Sequence, residues 1–250
     1  MPCLAEEMRL CIKNILLSAD VSESSQAILS YVVGLAQRYS ASLSSAGMIS
    51  PAAICEIVRN RQIDLVVIGM HDQVARKFNI GSTVVEILRT VPCPVLIIGP
   101  KVTHAELAKR ALERIIYVTD FSTSSLDALP YTVALAQDNE AQLTFVHLAE
   151  ETTMGPFYYG NSRSVAFRKR LESLIPTSSG FLGESEFVVG NGDRAEGLAR
   201  VAANLNANLI VMSVRGTSAK ACVRVLWPIG SRVVCRAHCP VLTVPGTWFQ

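Results

Sequence analysis

Two glycine-bearing turns, each beside a strand end, are the places where this sequence could do chemistry. In the first, Gly69 closes the β-branched run that begins at Asp64, and Gly81-Ser82 opens a short helix ending near Arg89. A chain that turns at glycine beside a strand end offers free backbone N–H groups. The helix dipole points the same way, so the pair suits an anion cradle. The second turn carries Gly216 and then Gly230-Ser231, with Arg215, Lys220 and Arg224 adding positive charge that suits phosphate. Asp20 and Asp120 each stand at the end of an apolar run, placed to act as general base or as cap of the following helix. The plainer reading of every one of these residues is a turn glycine or a helix cap.

Other reactive side chains are poorly arranged. His71, His104, His147 and His238 are far apart and form no HExxH or similar spacing, so no metal site is expected. Cys235, His238 and Cys239 are close in sequence, but Cys239 repeats the position of Cys93 in a PCPVL string that has no second ligand nearby. A structural zinc needs four ligands, and both cysteines read as small buried hydrophobes. The serines at 22–25 and 122–125 lack a G-x-S-x-G elbow and read as caps. Phe157 to Tyr159 could form a lid, a partner surface or packing over the basic helix beside them.

The elements that must position these residues come in two sets, because the chain repeats itself. Asn14–Gln37 matches Arg114–Gln137 at an offset of 100 residues without a gap. DLVVIGMHD at Asp64 corresponds to NLIVMSVRG at Asn208, and the Gly81 string ending PCPVLII corresponds to the Gly230 string ending HCPVLTV. Such ordered matches indicate two homologous domains in tandem, with bounds expected at 11–100 and 112–246.

In the first copy, strands are expected at Ile12–Leu17 and Asp64–Ile68, a weak one at 41–46, and one at Val95–Ile98. Helices are expected at Gln26–Arg38, from Pro51 onward, and at Thr83–Arg89. The second copy predicts strands at Arg114–Thr119, Gln142–His147, Glu186–Val189, Asn208–Val214 and Val241–Val244. Its helices are expected at Thr123–Asp138, Ser164–Leu174, Arg194–Leu205 and Ser231–Arg236. This α/β alternation implies parallel sheets with helices on both faces and ligands at the carboxyl ends of the strands. Asp20 to Gly69 spans 49 residues and Asp120 to Ser213 spans 93, so the first copy lacks about one helix and one strand. It is expected to lean on the second. The apolar strands Val95–Ile98 and Val241–Val244 would each expose a sheet edge in isolation. Their pairing in an intramolecular pseudo-dimer is expected, and a homodimer remains open.

Composition narrows the functional classes. Half of the 250 residues are hydrophobic, 18% are charged and the net charge is +2, which argues against disorder and against a broad nucleic-acid-binding face. No apolar run has the length of a membrane helix, and the acidic N-terminal stretch is unlike a signal peptide. The seven cysteines suit reduced thiols. A cytoplasmic protein with no membrane or nucleic-acid partner is expected.

The repeated set of strand-end Asp, glycine loop, Gly-Ser pair and PCPVL-type strand resembles a tandem universal stress protein, from Ile12 to Val244. The resemblance implies Rossmann-like domains of the adenine nucleotide alpha hydrolase type, here with the first truncated. It also implies stress-response regulation, and in ATP-binding members a loop of the form G-x2-G-x9-G-S/T. There the Asp and nearby backbone hold adenine and ribose, while loop glycines and Ser/Thr hold phosphates. Both copies depart from that loop. Asp72 replaces the second glycine of the first copy, where its carboxylate would repel phosphate, and Ser213 replaces the first glycine of the second copy. The resemblance therefore places an ATP or AMP site, with or without Mg, at Asp120, Arg215, Gly216, Gly230 and Ser231. Asp20, Gly69, Gly81 and Ser82 form a weaker counterpart. The expected function is a nucleotide-binding regulatory protein without robust catalysis. The alternatives are a partner-binding module that has lost nucleotide affinity and a slow ATP hydrolase.

Overall fold

A computed structural model describes residues 10–19, 23–47, 49–70, 81–109, 112–148, 162–174, 186–190, 193–214 and 223–245. The first copy contributes β1 (Asn14–Ser18), α1 (Glu23–Tyr39), β2 (Ser42–Ala46), α2 (Pro51–Asn60), β3 (Leu65–Gly69), α3 (Gly81–Thr90) and β4 (Val95–Ile98). A short helix α4 (His104–Ala108) leads to the second copy. That copy comprises β5 (Arg114–Val118), α5 (Thr123–Asp127), α6 (Leu129–Asp138), β6 (Gln142–Leu148), α7 (Ser162–Glu172), β7 (Glu186–Gly190), α8 (Arg194–Asn204), β8 (Leu209–Val214), α9 (Val223–Arg236) and β9 (Val241–Pro245).

The strands form one nine-stranded sheet in the order β2-β1-β3-β4-β9-β8-β5-β6-β7. Every neighbouring pair is parallel except β4 and β9, which run antiparallel with Val95 opposite Thr243 and Ile97 opposite Val241. The Thr243 hydroxyl donates to the Val95 carbonyl at 3.1 Å within this seam. Gly99, just past β4, lies so close to the Val234 carbonyl of α9 that any Cβ there would collide with backbone. One apolar cluster fills each face of the sheet, and both draw on the two copies. The cluster holding Ile15, Tyr31, Tyr117 and Phe145 packs under α1, α4, α6 and α7, whereas Leu16, Ile54, Leu198 and Ile210 pack under α2, α3, α8 and α9.

The sequence repeat is a repeat of hydrogen bonds. Asp64 Oδ2 accepts the N–H groups of Lys13 and Asn14 at 2.8 and 2.9 Å; Asn208 Oδ1 accepts those of Glu113 and Arg114 at 3.0 and 2.9 Å. Ser40 and Glu140 end their helices with φ of 52° and 49°, and Gln62 and Asn206 both have φ of 49°. These are left-handed turns that let a helix C-terminus hand its chain to the next strand.

Besides the short helix α4, which the sequence reading did not expect, two elements differ from the sequence expectation. The helix expected at Thr123–Asp138 is broken at Ala128 between α5 and α6. Pro130 explains the break: it has no N–H to donate, and its ring would clash with the preceding turn. Helix α9 begins at Val223 rather than at Ser231 and runs through Pro228. The truncation itself is visible, since α7 and β7 have no counterpart between β2 and α2 among the described residues.

Candidate functional site

Strand order reverses between β1 and β3 in the first copy and between β5 and β8 in the second. Chains leaving the carboxyl ends of such strands diverge to opposite faces and open a crevice. Asp120 stands there, exposed, two residues beyond the end of β5. Its Oδ1 accepts the Ser122 N–H at 2.9 Å, so the carboxylate fixes the loop ahead of the helix. Ser122 is the actual cap of α5, accepting from Ser125 N–H at 3.3 Å.

Beneath Asp120 lies a buried polar latch. Thr119 and Ser125 hydroxyls meet at 3.0 Å, Ser125 Oγ donates to the Ser122 carbonyl at 2.9 Å, and Phe121 N–H donates to Thr119 Oγ1 at 2.9 Å. Tyr117 Oη donates to the Ser125 carbonyl. Phe121 adopts φ of 59°, a conformation costly for a bulky residue that this network holds in place.

The strained backbone aims the Phe121 ring along the strand tips. It stacks on His147 at 4.7 Å between centroids, and the Arg170 guanidinium of α7 lies 4.3 Å above it. His147 Nδ1 lies 2.9 Å from the Thr119 carbonyl, which can only accept, so Nδ1 carries the proton. Burial holds the imidazole below its usual range; the Thr119 carbonyl and Asp120 pull it upward, and Arg194 and Arg170 push it down. The tips of β5 and β6 thus gather one exposed carboxylate, the Arg170 guanidinium and the tilted Phe121–His147 ring pair. That set can meet an anion and a planar ring together.

The sequence candidates separate on this geometry. Asp120 lies in the crevice. Gly230 and Ser231 lie inside α9, so their N–H groups serve the helical ladder instead of opening a helix toward an anion. Their role as a helix-start cradle is corrected accordingly, and Gly230 is buried. Gly81 and Ser82 do begin α3. Gly69 ends β3 beneath α1, where a Cβ would stand 2.7 Å from Ile28 Cδ1, so close helix packing accounts for it. Asp20, Arg215, Gly216, Asp72 and the Phe157–Tyr159 segment lie outside the described residues.

Sequence reasoning missed Thr119, Phe121, Ser125, His147 and Arg170 as a group. A usable signal existed in the difference between copies, since Ala19 occupies the first copy's equivalent of Thr119. Arg170 carried none, because it reaches the site from a helix that the first copy lacks.

Cys93 and Cys239 are buried at the starts of β4 and β9, as the sequence suggests, and burial pushes each thiol up to about 12. Among the described residues no cluster of His, Cys, Asp or Glu could hold a metal ion, and no helix is long and apolar enough to cross a membrane.

The chain is similar throughout to a universal stress protein from Archaeoglobus fulgidus DSM 4304. Identity is 15% over 93% of this chain and 96% of that one, with a TM-score of 0.65. A functionally unknown protein from Pseudomonas aeruginosa PAO1 is 18% identical over 93% of this chain and 81% of its own, with a TM-score of 0.54. A universal stress protein solved in complex with cAMP is 22% identical over 55% of this chain and 99% of its own, with a TM-score of 0.41. No curated protein matches the chain. The universal stress protein family model matches residues 49–99 and 111–245. With both copies matched and the repeated sheet in place, the chain belongs to the universal stress protein family.

Proposed function

We propose that the chain is a nucleotide-binding regulatory protein of the stress response, holding ATP or AMP at the strand tips of its second copy. The observation that carries this reading is Asp120, exposed at the reversal of strand order on a loop clamped from below. Arg170 and Arg194 supply positive charge around the neighbouring His147, suited to phosphate, and Arg215 and Gly216 follow β8 in the sequence. Residues 11–100 and 112–246 then act as two domains of a pseudo-dimer, meeting where Val95–Ile98 pairs with Val241–Val244. Catalytic turnover is not part of this reading, because the described crevice brings one carboxylate rather than a metal-binding pair. Soluble operation in the cytoplasm completes it.

A second reading is favoured by one observation: Gly230 and Ser231 are enclosed in α9 and present no helix start. The chain would then be a partner-binding module that has lost nucleotide affinity. Calorimetric titration of the purified protein with ATP and AMP, with and without Mg, decides between them. Saturable binding that Asp120→Ala weakens at least about tenfold is expected. Heatless titration at millimolar ligand would favour the second reading, and release of inorganic phosphate would make the protein a slow hydrolase.

A further inference from the structure

The truncation leaves a specific surface exposed. In the second copy, β6 is flanked on its outer side by β7, and Leu129 and Val133 of α6 are 8% and 6% exposed. Leu171 of α7 belongs to the same buried cluster. The equivalent residues of the first copy, Leu29 and Val33 of α1, are 44% and 36% exposed. They are one helical turn apart and form an apolar stripe. Arg38 lies on another flank of the helix and bonds to Asn139 in the second copy, so the stripe faces away from the pseudo-dimer seam. Among the described residues β2 pairs with β1 alone. Among the described residues, the missing helix and strand thus leave an open sheet edge and an apolar helix flank side by side.

Ser42 N–H donates to the Lys13 carbonyl of the first copy at 2.7 Å, so by the two-residue period Ser44 and Ala46 also face β1. Leu43 and Ser45 then turn their backbone N–H and C=O outward. Natural edges are normally blunted by charge, proline or a bulge. This one is not: Tyr39 to Cys55 contains no charged residue, and Pro51 lies beyond the strand. The opposite edge strand, β7, opens on Glu186.

We propose that a second copy of this chain docks here, β2 against β2 in antiparallel register about a two-fold axis normal to the sheet. With Ser44 facing its own copy, Leu43 meets Ser45 of the second copy, and these outward-facing residues form the hydrogen-bonded pairs. The axis keeps both α1 helices on one face and turns their Leu29–Val33 stripes toward each other. An isologous contact sets a surface against itself, so a charge near the axis would oppose its like. The uncharged strand avoids that penalty. A foreign peptide is a poorer occupant, because serine and alanine side chains form no pockets to select its residues. The antiparallel β4–β9 seam shows that this sheet already joins two parallel units in the same way.

Sedimentation velocity on the full chain over a hundred-fold concentration range tests the inference. The expected result is a reversible dimer that Ser45→Pro and Leu29→Glu each weaken at least about tenfold. Ser45→Pro removes an outward N–H while leaving the β1 hydrogen bonds intact. Leu29→Glu alters an exposed residue and guards against a folding defect in the first variant. Circular dichroism of both variants should match the parent chain. A parent chain monomeric throughout the range, including one that instead takes up an added extended peptide, would overturn the inference. So would a dimer that both variants leave intact.

Discussion

Gly69 and Ile28 are packed as one unit: a Cβ on the glycine would stand 2.7 Å from Ile28 Cδ1 and 3.3 Å from Ala19 Cβ. The repeat places Ser213 and Ala128 at the equivalent positions. A large residue over a small one in the first copy thus becomes a small residue opposite a larger one in the second. Gly69→Ala should therefore destabilise the protein by about 1–3 kcal/mol, because Ile28, 3% exposed, cannot swing into solvent. Ile28→Val removes the offending methyl. The double variant should recover at least about 0.5 kcal/mol relative to additivity in urea unfolding, and strict additivity would break the link.

That pairing also shows why the site was only half legible in the sequence. Repeat matching located the strand tips and Asp120, because strand ends are marked where continuous apolar runs, buried on both faces of the sheet, stop. It could not tell whether Gly69 served a ligand or a neighbouring helix, since both need a missing Cβ. Strand β2 was only weakly legible, because SLSSA carries a single large apolar residue. The extent of α9 was not legible, because Gly230-Ser231 read as a helix start, yet the helix runs through both residues. The Arg170–Phe121–His147 stack depends on a left-handed residue, a conformation that no pattern at position 121 announces.

His147 should make stability depend on pH in a definite direction. Burial keeps the folded imidazole below its usual range, with Arg194 and Arg170 acting in the same sense against the Thr119 carbonyl and Asp120. An unfolded histidine takes up a proton near pH ~6.5. The folded ring resists it, so its contribution is full above that value and is lost as pH falls toward the folded pKa. Melting temperatures of the parent chain and His147→Gln should therefore converge on acidification from neutral pH. Parallel curves would mean that the ring does not titrate differently in the fold.

Thiol reactivity should sort by burial. Cys11 and Cys235 are exposed, whereas Cys55, Cys93 and Cys239 are buried, and Cys55 Sγ donates to the Thr90 carbonyl at 3.2 Å. With Cys93 and Cys239 pushed up to about 12, almost no thiolate is present at neutral pH. Among the described cysteines, native alkylation followed by peptide mass mapping should label Cys11 and Cys235 and spare Cys55, Cys93 and Cys239 until denaturant is added. Prompt labelling of Cys93 would contradict the sealed β4–β9 seam.

Asp64 and Asn208 do the same work with different chemistry, and that makes the repeat testable at one atom. Each side-chain oxygen accepts two successive N–H groups at the entry of β1 or β5, at 2.8–2.9 Å for Asp64 and 2.9–3.0 Å for Asn208. Removing the acceptor gives up two hydrogen bonds that water replaces only in part, each worth about 0.5–1.5 kcal/mol net, so Asp64→Ala and Asn208→Ala should each cost about 1–3 kcal/mol. Asp64→Asn keeps an amide oxygen in the geometry that Asn208 already uses. If position rather than charge matters, it should cost under about 0.5 kcal/mol, the usual range of a substitution that breaks no buried feature. Urea denaturation of the three variants measures this directly. A loss with Asp64→Asn as large as with Asp64→Ala would mean that the carboxylate's charge holds β1 in place, and the equivalence of the two clamps would fail.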